Sequence, residues 1–156
     1  MSNKKTQIAG ALFFLYVLWM LWLLFGQRMG QSSSATYWQR LQANLNLQPM
    51  DTLRRFWWVL QHSENPTQIR HAIINLGGNV VMFLPLGGLT PMIWPRLQKF
   101  WRHGITMVMI IAVIELVQLF TLLGSCDVDD LILNMTGTTL GFFLWKFSVR
   151  PGEKKE

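Results

Sequence analysis

Residues Ile8–Gly26, IAGALFFLYVLWMLWLLFG, carry no charge over about 19 positions, close to the roughly 20 that cross a bilayer as a helix. Three more apolar blocks follow. Ala72–Trp94 is uncharged but interrupted by glycine, asparagine and proline, and Gly104–Gly124 holds one acid, Glu115. Leu131–Phe147 is shorter, with Lys146 placed to snorkel toward water at its end. Helices apolar on every side need apolar surroundings. The expected fold is therefore all-α: a four-transmembrane-helix bundle with helices at about 8–26, 72–94, 104–124 and 131–147, forming one domain over 1–156. Hydrophobic residues at 51% against 14% charged exclude an ordinary soluble domain.

The first block follows Lys4 and Lys5, as a signal peptide would, but it is longer than the usual apolar region and no small-x-small site directly follows it. An uncleaved anchor is expected. Four crossings put both termini and the loop between the second and third helices on one side. Lys4, Lys5, Arg96, Lys99, Arg102, Lys146, Arg150, Lys154 and Lys155 fall there. Arg28, Arg40, Arg54, Arg55 and Arg70 fall on the other side, spread over a long loop. Excess Lys and Arg mark the cytoplasmic face, so both termini are expected inside. The pI near 10 then reflects an inner face meeting anionic lipid, not nucleic-acid binding. Cys126 is the single cysteine, which excludes an internal disulfide and a cysteine-rich metal site.

The long outer loop, Gln27–Arg70, opens with the polar stretch QSSSAT and then carries DTLRRFWWVLQ after Pro49, with Asp51 as the expected N-cap. Leu53, Phe56, Trp57 and Leu60 keep helical spacing, and Arg54, Trp58 and Gln61 take another face. Such an amphipathic helix suits the headgroup layer, or covers the tops of the spans with the same face. Arg54, Arg55, Trp57 and Trp58 are its candidate interfacial residues.

Polar residues inside the spans are costly: an ionisable group costs at least about 2.5–3.5 kcal/mol on insertion scales and usually faces the bundle interior. Glu115 lies well within the third span, with Gln118 one turn on; Asn75 and Asn79 share a face of the second. Asp130, Asn134, Gly137 and Gly141 form a stripe on the fourth. At 1.5 Å per residue, Asn75 and Asn79 lie about 6 and 12 Å below the outer start of their span, and Glu115 and Gln118 about 12 and 8 Å below the end of theirs. Asn134 lies about 5 Å down on the same rise. These groups are expected to form a polar pocket in the outer half, rimmed by Asp127, Asp129 and Asp130. Each has a plainer role too: helix capping for the aspartates, interhelical glue for the amides, close packing for the glycines and a kink for Pro85.

NVVMFLPLGG, then IELVQLF, then DVDDLILNMTGTTLG, in that order and spacing, resemble the VanZ-like family of small membrane proteins. NLNLQPMDTL (Asn44–Leu53) resembles, more loosely, the loop ahead of those motifs. The family positions carry onto Asn79, Phe83, Pro85, Gly87, Glu115, Gln118, Asp127, Asp129, Asp130, Asn134, Gly137 and Gly141. Many members have an arginine shortly before the acidic motif, where LLGSCDVDD has none. The resemblance implies an integral protein of the bacterial cytoplasmic membrane connected with the cell envelope. The name-giving member is associated with low-level resistance to the antibiotic teicoplanin, without a settled biochemical activity.

Three functions fit. An accessory protein would hold an amphiphile, such as a lipid-linked envelope component or a lipophilic glycopeptide, with Arg54, Arg55, Trp57 and Trp58 at its head group. An enzyme would use Glu115 as general base, or Asp127, Asp129 and Asp130 as oxygen ligands to Mg²⁺ or Ca²⁺. An assembly subunit would dock a partner through Gly137 and Gly141. No pattern in the sequence fixes a cofactor, a metal or an oligomeric state.

Overall fold

The computed structural model describes residues 3–26 and 35–149. The 27–34 stretch, the charges of Arg28, Arg150, Lys154 and Lys155, and the Lys5 side chain lie outside the described residues. Six α-helices run in chain order: α1 (Asn3–Phe25), α2 (Tyr37–Ala43), α3 (Asp51–His62), α4 (Pro66–Ile93), α5 (Phe100–Thr121) and α6 (Val128–Ser148). A 3-10 turn, Pro95–Gln98, joins α4 to α5. The fold is all-α, as expected, with one small addition. Two short strands, β1 (Leu45–Asn46) and β2 (Cys126–Asp127), pair in parallel, with Leu45 opposite Cys126 and Asn46 opposite Asp127.

Thr6–Phe25, Pro66–Ile93 and Phe100–Thr121 are long and apolar enough to cross a membrane. α6 matches them in length at 21 residues, but its polar stripe makes it less apolar. Hydrogen bonds and ring contacts set the helix directions. Phe13 of α1 packs edge-on to Trp94 after α4 at 5.3 Å, and Tyr16 donates to the Met82 carbonyl at 2.7 Å. Gln118 of α5 reaches the Leu24 carbonyl at the other end of α1 at 3.4 Å. Phe100 and His103 at the start of α5 meet Phe142 late in α6. The four long helices thus alternate in direction, α1 and α5 one way, α4 and α6 the other.

The core is Tyr16, Met20, Phe83, Leu86, Met107 and Ile111, contributed by α1, α4 and α5. Outward positions such as Phe14, Trp22, Val81, Met109, Phe120 and Leu144 are exposed. A membrane protein shows this inversion because lipid tails, not water, cover its perimeter.

α4 and α6 cross at backbone contact. A Cβ at Gly87 would overlap the Thr138 carbonyl; at Gly137, that of Val80; at Gly141, that of Leu84. Small residues allow this approach, and close packing replaces the hydrophobic drive that lipid cannot provide. Gly137 and Gly141 therefore bind the chain to itself, so the assembly-subunit reading has no free glycine stripe to use. α4 also runs helically through Pro85 and Pro91. Proline has no N–H, so Pro91 leaves the carbonyl of Gly87 without its helical partner. The buried His103 ring instead packs on Phe142 of α6 at 4.7 Å, and its Nε2 has no hydrogen-bond partner among the described residues.

Candidate functional site

α3 begins where the sequence offers no good cap. Its N-cap is Met50, in the left-handed region at φ 67°, with no capping side chain. Asp51, the expected cap, lies one residue inside the helix and pairs with Arg55 at 2.6 Å on the exposed face. The missing acceptor comes from α6. Asp129 is fully buried, and its two carboxylate oxygens accept from the Met50 and Leu53 backbone N–H groups at 2.6 and 3.0 Å. A carboxylate here satisfies two of the orphan donors of the helix start and meets the positive end of its dipole. Sequence reasoning chose the wrong aspartate because the true cap is more than 70 positions away.

Asp127 makes the second bond between the segments. One oxygen accepts from the Asp129 N–H at 2.9 Å, capping α6 itself. The other accepts from the Thr52 hydroxyl at 2.6 Å and from the Asn46 amide at 3.1 Å. The Asn46 amide also donates to the Thr52 hydroxyl at 3.1 Å, closing a triangle. Beside it, Cys126 N–H donates to the Asn44 carbonyl at 2.8 Å as part of the strand pair. Asp130 takes a third direction and accepts from Asn79 of α4 at 2.6 Å.

Beneath this clamp lies Glu115, 4% exposed. Its carboxylate faces the Asn134 amide and the Asp127 backbone N–H, each at 3.5 Å. The fold thus brings Glu115, Asn134 and Asp127 together, while Asn79 serves Asp130 instead. Gln118 faces α1. The buried amide oxygens of Asn75 and Asn134 have no hydrogen-bond partner among the described residues. Burial pushes the Cys126 thiol pKa up, and the Glu115 and Asp127 charges act in the same sense.

The three aspartates point to three different partners, and the described residues gather no group of three metal-ligating side chains. The arrangement binds segments together. What it leaves outward is the other face of α3: Arg54, Arg55, Trp57 and Trp58 are exposed, the tryptophans at 62% and 59%, whereas Leu53, Phe56 and Leu60 are half-buried. Trp57 shares helical spacing with Leu53, Phe56 and Leu60 but lies exposed beside Arg54, Arg55 and Trp58. Trp38 of α2 is also exposed.

A model of the VanZ/LLP1 family matches residues 11–149, nearly the whole chain, and so includes both clamp and bundle. The chain belongs to the VanZ/LLP1 family. Neither a curated protein nor a solved structure matches it. Within this VanZ/LLP1 domain, sequence reasoning missed Asn46 and Thr52 as site residues and assigned His103 no role. The loose resemblance of Asn44–Leu53 to the family's loop was the signal available for the first two, since it brackets both.

Proposed function

We propose that this VanZ/LLP1 protein crosses the bacterial cytoplasmic membrane four times, with both termini cytoplasmic, and holds an amphiphile in the outer leaflet against the α3 platform. The ligand class is a lipid-linked envelope component or a lipophilic glycopeptide such as teicoplanin. Alternating helix directions support the four-crossing topology, as does the placement of charge. Lys4, Arg96, Lys99, Arg102 and Lys146 lie at one end, while the α3 end carries all six described acids.

The observation that carries the binding reading is the two-faced use of α3. Asp127 and Asp129 fix one face, leaving Arg54, Trp57 and Trp58 open on a rigid support. Tryptophan rings suit the boundary between acyl chain and head group, and arginine suits a phosphate or carboxylate on the ligand. Preorganisation matters because a platform ordered before binding loses less entropy on binding. The enzymatic alternative is weaker, because the aspartates that would hold a metal are engaged with α3, α4 and the start of α6.

Native mass spectrometry of protein extracted with its own lipids tests the reading. Wild type is expected to retain an amphiphile that the combined Arg54→Ala, Trp57→Ala, Trp58→Ala variant loses, with unchanged thermal stability. In a teicoplanin titration the same variant should bind more than about tenfold more weakly, as for loss of aromatic and arginine anchors. Equal retention and equal teicoplanin binding by both proteins would contradict it.

A further inference from the structure

The opposite end of the bundle holds a cavity of about 540 Å³, within the roughly 300–1,000 Å³ range of ligand pockets. It lies between the middle of α1, the end of α4, the 3-10 turn and the first half of α5. Phe13, Leu86, Thr90, Met107 and Ile110 line it, with Arg96 at the turn. Its walls are nearly all hydrocarbon, and the Thr90 hydroxyl is turned back onto the Leu86 carbonyl at 2.8 Å. Water in such a place would find few of the two to four polar partners it needs.

The mouth of the cavity is chemically different from its walls. Arg96 is exposed, and Lys99 and Arg102 follow within six residues, both exposed. Every acid among the described residues belongs to the other end: Asp51 opens α3 and Glu64 follows it, Asp127, Asp129 and Asp130 open α6, and Glu115 is in the last third of α5. Exposed Trp94 and Trp101 sit at the same level as the cations, with the Arg102 guanidinium 5.1 Å from the centre of the Trp101 ring. Tryptophan beside Lys and Arg marks the headgroup layer. An apolar slot thus opens at headgroup depth beside a run of exposed cations, with no acid of the described residues at that end.

We propose that this cavity holds an acyl chain of one anionic phospholipid, whose phosphate is held at Arg96 with Lys99 and Arg102. The site is separate from the α3 platform, and neither depends on the other. Arg96 in its lining distinguishes it from a general lipid-facing groove. The second cavity, along α6 at Leu131, Met135 and Thr139, has no basic residue in its lining and carries no such preference.

The full chain in nanodiscs of equal phosphatidylglycerol and phosphatidylcholine, followed by native mass spectrometry, tests the proposal. Wild type should retain one phosphatidylglycerol in preference to phosphatidylcholine. Arg96→Gln should keep a bound lipid but lose about fivefold in that preference, the scale of one basic residue at an anionic surface. Thr106→Trp, which fills the slot from α5, should lose the lipid while its melting temperature holds. The Arg54→Ala, Trp57→Ala, Trp58→Ala variant should keep it, so the two sites fail separately. Equal retention of both lipids by wild type, a lipid unaffected by Thr106→Trp, or a lipid-free dimer in its place would each overturn the proposal.

Discussion

The two ends of the bundle use charge in opposite ways. At the α3 end, the acids that open α6 are consumed by the fold: Asp127 and Asp129 bind backbone and hydroxyl donors more than 70 residues away, and Asp130 binds Asn79. At the turn end, Arg96 lines an apolar slot and stays exposed, as do Lys99 and Arg102 shortly after it in the chain. Length and desolvation explain the contrast. Aspartate is short and can be held by two or three donors in a buried site, whereas a long cation keeps its head in water and lays its stem on apolar surface. One end is therefore ordered by its own bonds, and the other is shaped to be completed by lipid.

The largest effect should come from what both ends share, the α4–α6 crossing. Gly141→Leu would drive a side chain into the Leu84 carbonyl and force the helices apart. Backbone cannot yield as a flexible side chain would, so a loss above about 4 kcal/mol is expected. Yield and thermal unfolding in nanodiscs report it, and a near-native melting temperature would break the account of this crossing.

Asp129→Ala separates the ends. It leaves the Met50 and Leu53 N–H groups unsatisfied, at about 1–3 kcal/mol each. Hydrogen exchange should quicken over α3 and the strand pair, while α5 near the turn keeps its protection. Uniform quickening would mean that the clamp and bundle are one cooperative unit. Thr52→Val removes a single hydroxyl from the same clamp and should cost about 1 kcal/mol, measured as the shift in unfolding midpoint.

The bundle was legible in the sequence because a span announces itself by local composition. Helical rise put Glu115 level with Asn79 and Asn134 some way above them, yet Glu115 meets Asn134 while Asn79 meets Asp130, because depth says nothing of which helix faces which. The clamp was not legible in this way. Asp129 caps a helix on the far side of the chain, and no periodicity in DVDDLILN records which N–H it meets. The slot at Arg96 was hidden too, because a cavity is a sum of what Phe13, Leu86 and Ile110 fail to fill, and these lie on three elements. Helical spacing groups Trp57 with Leu53 and Leu60 but does not say how wide the covered stripe is, so the exposure of Trp57 beside them was not legible either.

The smallest effect expected is at Cys126. Burial, with the Glu115 and Asp127 charges beside it, raises its thiol pKa, so less thiolate is present at pH 8 than in an unfolded chain. Iodoacetamide should label it several-fold more slowly in native protein than in denatured protein, with the rise in rate displaced to higher pH in the native protein. Equal rates would place the thiol outside the acid end.

The central claim is that residues Asn44–Leu53 are docked on the acidic loop, with Leu45 beside Cys126. Oxidative cross-linking of a Leu45→Cys variant in intact membranes tests this directly. The account predicts an intramolecular Leu45→Cys–Cys126 disulfide, seen as one linked peptide by mass spectrometry and lost when Cys126 is replaced by serine. Free alkylation of both thiols under the same oxidation, with no linked peptide, would contradict it.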